Sequence, residues 1–118
     1  MTAVPLPTAP HPCDRYRVIV AFSLAPSGGS AVADDGSMSA AVAEAVRVVR
    51  ASGVTHQTTA MFTYLEGDWD EVMAVVKDAT DAVLAIAPRV SLVLKADIRP
   101  GHEDQLTAKV RRVDEHLA

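Results

Sequence analysis

The chain is 118 residues long, 49% of them hydrophobic, with a formal net charge of −4. That length suits one domain with a sizeable core, and the acidic balance argues against general nucleic-acid or anionic-membrane binding, which needs a basic face. The single cysteine, Cys13, excludes an internal disulfide and a cysteine metal cluster; with one tryptophan, two tyrosines and two phenylalanines, Val, Ala and Leu must build the interior.

Residues 1–15 read as a disordered proline-rich tail, because their sparse apolar content cannot repay the entropy of ordering. The domain is expected over residues 16–118. His11 and Cys13 lie in the tail, and two ligands there do not make a closed metal site. Met1 to Pro12 carries four prolines and no Lys or Arg, unlike an export signal. No segment approaches the roughly 20 apolar residues of a membrane span, so the expected location is the cytoplasm.

Val18 to Ala25 (VIVAFSLA) is the first strand, rich in β-branched residues and closed by Pro26. Both its faces are largely apolar, so neither is expected to be left in water. The loop Pro26 to Gly36 has three glycines but neither a Walker lysine nor a dinucleotide fingerprint. A helix capped by Ser37 or Ser39 follows to about Ser52, stopped by Gly53, with Met38, Val42, Ala45, Val46 and Val49 as its buried stripe. His56 to Thr59 and Phe62 to Glu66 read as a hairpin.

Asp68 is placed to cap a long helix, with Asp70 and Glu71 in the first turn where the helix dipole favours negative charge. Trp69, Val72, Met73, Val76, Ala79, Val83 and Ile86 line one face until Pro88 ends the helix near Ala87. Arg89 to Ile98 is the last strand. A terminal helix after Pro100-Gly101 carries the stripe Leu106, Val110, Val113 and Leu117.

The order β-α-β-β-α-β plus a helix fits an α+β ferredoxin-like fold, an antiparallel sheet with two helices on one face. The other face, with Ile19, Ala21, Ser23, Val93 and Lys95, is then an apolar patch suited to packing sheet to sheet in a homo-oligomer.

The segments AFSLAPSG, AMFTYLEGDWDEVM and PRVSLVLKADIRPG resemble the small thiamine-binding proteins of the YkoF-like family, over residues 18 to about 113. The most specific piece runs from Met61 through Val72 as M-x-T-x-x-E-G-x-W-D-E-V. The resemblance implies ferredoxin-like domains assembled as dimers and dimers of dimers, which bind thiamine or its hydroxymethylpyrimidine moiety without catalysis. It implies a small-molecule partner, no nucleic acid, no membrane and no cofactor. Phe62 stands where the family pattern usually has glycine, and the first loop is longer than expected.

Thiamine joins a cationic thiazolium to a flat aminopyrimidine, so its site needs a carboxylate or π-face and a few fixed hydroxyl or amide groups. The candidates are Glu66 for the charge, Trp69, Phe62 and Met61 for the walls, and Ser23, Thr59 and Thr63 for the hydroxyls. Each has a plainer alternative: Trp69 as a core anchor, the threonines as strand residues, Glu66 as a partner of nearby backbone N–H groups. Strict alternation puts Thr63 and Glu66 on opposite faces, and a bend near Gly67 is needed to join them. The competing functions are an oligomeric interaction module and an enzyme using Glu66 or His56 as general base.

Overall fold

The structure, a computed structural model, describes residues 16–29 and 32–118. The proline-rich segment 1–15, with His11 and Cys13, lies outside the described residues. Seven elements follow one another: β1 (Arg17–Ser27), α1 (Ser39–Ser52), β2 (Thr55–Thr58), β3 (Thr63–Asp68), α2 (Trp69–Leu84), β4 (Arg89–Ile98) and α3 (Gln105–Leu117). The strands form one antiparallel sheet in the order β2-β3-β1-β4. This is the expected ferredoxin-like arrangement.

Alternation along β1 sets the two faces. Val18, Val20 and Phe22 are buried, while Ile19, Ala21 and Ser23 are partly exposed on the reverse. Opposite them, Leu65 pairs with Val20, and Leu94 with Phe22. α1 and α2 close this inner face with Ala41, Ala45 and Val49 from one helix and Val72, Val75, Val76, Ala79 and Val83 from the other. Each fully buried Val or Leu contributes roughly 1.5–3 kcal/mol, so a core poor in aromatics is still adequate.

Three local expectations are corrected. Met38, rather than a serine, stands at the α1 N-cap and makes no side-chain cap bond; Ser37 instead pairs its hydroxyl with that of Ser39 at 2.9 Å. Asp68 is the extended N-cap of α2, but its carboxylate accepts no capping hydrogen bond. The buried line of α1 is rotated onto Ala41, Ala45 and Val49, leaving Met38 39% and Val42 43% exposed. Alanine admits the close approach of a neighbouring helix, which moves the longer side chains toward the helix flank.

α2 also ends earlier than expected, at Leu84, with Ala85 N–H donating to the Asp81 carbonyl at 3.1 Å. Pro88 disfavours helical backbone in the residue before it.

α3 lies on the reverse face. The chain turns through Gly101 (φ 84°) and Asp104 (φ 55°), two left-handed residues that send it back over the sheet. α3 then touches β3, and Lys109 forms an ion pair with Asp97 of β4. Of the expected stripe of α3, Leu106 is half-buried and the rest remains in solvent, with Val110 60%, Val113 58% and Leu117 80% exposed.

Candidate functional site

The pairing of β1 with β3 stops at Phe22↔Thr63, whereas its pairing with β4 continues to Ser27↔Arg89. Along Ser23–Ala25 one edge of β1 therefore has no strand beside it, and backbone groups on that edge are free to meet another partner. The β2–β3 turn and the N-terminal half of α1 close the other sides of a cavity of about 270 Å³. Phe22, Leu24, Met38, Val42, Ala45, Val46, Met61 and Phe62 make most of its wall. Ser23, Thr58, Thr59 and Thr63 bring hydroxyl-bearing residues to it.

The turn is held by Thr59. Its N–H donates to the Phe62 carbonyl at 2.9 Å, its hydroxyl donates to the same oxygen at 3.0 Å, and Phe62 N–H donates back to that hydroxyl at 3.3 Å. Thr59 therefore spends its donor on the turn and acts in the site by shaping it. Thr58 and Thr63 are register partners on the inner face, and neither hydroxyl bonds to another side chain among the described residues. Ser23 lines the cavity at the open edge, although alternation directs its side chain to the reverse face.

Five of the seven expected site residues thus meet in one place: Ser23, Thr59, Met61, Phe62 and Thr63. Glu66 and Trp69 do not join them. The strand runs straight through Gly67 to Asp68, pairing Gly67 with Val18 and Asp68 with Arg17, so the expected bend near Gly67 is absent. Thr63 and Glu66 keep the opposite faces that alternation requires.

Glu66 is buried, only 3% exposed, and its carboxylate accepts the backbone N–H groups of Gln105 at 2.6 Å and Leu106 at 3.4 Å. It is the cap of α3, satisfying donors that have no partner within the helix. Trp69 is half-buried and packs on the hydrophobic core at the first position of α2. Gly67 sits instead at a close strand–helix approach: a Cβ there would lie 3.2 Å from a Val72 methyl, which would have to yield by a few tenths of an ångström.

The sequence reading missed Leu24, Met38, Val42 and Val46 as cavity residues. Met38, Val42 and Val46 recur four residues apart in the sequence, and that shared helix flank was the available signal. The cavity lining includes no titratable side chain. Its chemistry is that of a small apolar slot with a few hydroxyls and a free strand edge, suited to a flat ring with hydrogen-bonding edges. Among the described residues no group of three or more His, Cys, Asp or Glu is placed to share a metal ion. No helix among them is long and apolar enough to cross a membrane.

Fold and cavity together define a ferredoxin-like α+β domain with a pocket of small-molecule size at the turn of its central hairpin. The chain belongs to the thiamine-binding protein family, whose model matches residues 20–114. It is 54% identical over 102 residues to the UPF0045 protein Mb1933 of Mycobacterium bovis, covering 85% of this chain and 94% of that one. The solved structure of the hypothetical protein MJ1052 from Methanocaldococcus jannaschii superposes with a TM-score of 0.73 at 33% identity, over 85% of this chain and 98% of that one. A DUF77 domain of unknown function from Bacillus cereus gives a TM-score of 0.65 at 32% identity, covering 78% and 86%.

Proposed function

We propose that this protein is a non-catalytic binder of thiamine or its hydroxymethylpyrimidine moiety, working as a carrier, buffer or sensor in the cytoplasm. The observation that carries the reading is the convergence of Ser23, Thr59, Met61, Phe62 and Thr63 on one cavity in a member of the thiamine-binding family. At about 270 Å³ the cavity falls just below the roughly 300–1,000 Å³ of sites for drug-sized ligands. A single substituted ring is the better match for that volume.

The non-catalytic part of the reading is supported by where the two candidate bases lie. Glu66 serves α3, and His56 on the edge strand bonds through Nδ1 to its neighbour's backbone, the Val54 carbonyl, at 2.9 Å. Neither lines the cavity.

Homo-oligomer formation through the reverse face of the sheet belongs to the same proposal. Val93 there is 55% exposed, and α3 adds exposed Val110, Val113 and Leu117. Sedimentation at micromolar concentration is the check, and a purely monomeric boundary ends that part.

Calorimetry with thiamine and with hydroxymethylpyrimidine tests the binding itself. Heat of binding is expected for the free pyrimidine. Absence of heat for both at millimolar ligand removes the reading.

A further inference from the structure

Beside the cavity at the hairpin turn lies a second, shallower one of about 630 Å³. The two share Met38, Val42, Val46 and Ala60, so they adjoin along the flank of α1. The charged residues that line the shelf are Arg47 and Arg50, both exposed and three residues apart on the same helix. Arg47 bonds to Glu44 at 2.6 Å through one nitrogen only, an exposed pair that holds it weakly. Arg50 has no ion pair among the described residues. A guanidinium has five N–H donors in a fork that matches phosphate oxygens, so both side chains keep donors to offer.

Set beside a lining without a carboxylate, this charge has a consequence. A thiazolium cation placed here meets two guanidinium groups and no carboxylate in the lining, since the nearby Glu44 carboxylate is engaged by Arg47. A neutral ring carrying a phosphate meets an apolar slot for the ring and two cations for the anion.

We propose that pocket and shelf are one two-part site, selective for an aminopyrimidine bearing a phosphate ester over the free cationic vitamin. The ring lies against the open edge of β1, with Thr58 and Thr63 beside it. The phosphate, carrying a charge of about −1.5 to −2 at neutral pH, is held by Arg50 with Arg47. This assignment rests on the pyrimidine-binding reading above and names the form of ligand that the same site prefers.

Titration of the intact protein with hydroxymethylpyrimidine, its phosphate monoester, thiamine and inorganic phosphate tests it. The ester is expected to bind about tenfold or more tighter than the alcohol, which corresponds to one or two charge-assisted hydrogen bonds. In Arg50→Gln, and further in the Arg47→Gln/Arg50→Gln double variant, the ester falls to the affinity of the alcohol while the alcohol is unchanged. Rising salt is expected to erase the increment in the wild type. Lys77→Gln, on an exposed part of α2, serves as the control for general charge. An ester that binds no better than the alcohol, an increment that survives the double variant, or inorganic phosphate binding as well as the ester each overturns the anion subsite while leaving pyrimidine binding intact. Failure of both alcohol and ester to bind overturns the underlying reading, and this one with it.

Discussion

Glu66 and Gln105 lie 39 residues apart in the chain, and the Gln105 N–H donates to the buried Glu66 carboxylate at 2.6 Å. That contact fastens the end of β3 to the start of α3 across the reverse face of the sheet. It also keeps out of the candidate pocket the carboxylate expected to face a thiazolium.

Glu66→Ala is expected to lower global stability by about 1–3 kcal/mol, because two helix N–H groups lose a charged acceptor in a buried setting. Glu66→Gln keeps one acceptor oxygen and costs less. Hydrogen exchange of the Gln105 and Leu106 amides is the direct measurement, with faster exchange in both variants. Pyrimidine affinity, measured in parallel, is expected to stay at the wild-type value.

Asp97 and Lys109 hold α3 a second time, on β4. The hydrogen bond from Lys109 is the main reason the Asp97 carboxyl sits below its ordinary value of 3.8; partial burial opposes it, and the charges of Lys109, Lys95 and Arg99 add to it. A depressed folded pKa means that the contribution is complete above the unfolded value and is withdrawn as pH falls through the folded one. The tie is therefore intact at neutral pH and is lost only in acid, below about 3.8. Both side chains are 46% exposed, so solvent and salt weaken the pair. Lys109→Met is expected to speed α3 amide exchange modestly at pH 7 and low salt. The difference from wild type should shrink at high salt and vanish below the Asp97 titration.

Gly67→Ala places a methyl 3.2 Å from Val72 Cγ2, inside a packed strand–helix contact. The backbone is extended there, so the cost is steric rather than conformational. Overpacking of this kind costs typically about 1–3 kcal/mol. Urea denaturation should show a lower midpoint at unchanged slope. The double variant Gly67→Ala/Val72→Ala is expected to cost less than the sum of the two single changes, because the second removes the clash of the first.

Thr63→Val exchanges a hydroxyl for a methyl of similar shape at the cavity wall. Because that hydroxyl has no side-chain partner among the described residues, stability should change by less than about 1 kcal/mol. Ligand affinity should fall several-fold, the loss expected for one neutral hydrogen bond. Phe62→Gly is expected to widen the cavity and admit larger rings, with weaker binding of the single pyrimidine.

The elements were legible in the sequence because their signals are local. Alternation in VIVAFSLA, the 3.6-residue recurrence from Val72 to Val83, Gly53 after the first helix and Pro88 after the second each act within a few residues of where they are read. The same locality made the β-α-β-β-α-β order readable, and with it the ferredoxin-like fold. The Met61–Thr63 end of the motif lines the cavity at the hairpin turn, because its residues share that turn in the chain as well as in space.

What locality could not decide was which neighbours each face would find. Alternation already put Thr63 and Glu66 on opposite sides of β3, yet the motif invited a bend to join them. Only the docking of α3, 39 residues on, shows what Glu66 is for. Likewise the pocket exists because β3 stops at Thr63 while β4 follows β1 to Ser27, a difference in strand length between elements far apart in the chain. A sequence prescribes the period of each element; the partners that end or extend a sheet belong to the assembled fold, where distant segments compete for the same backbone groups.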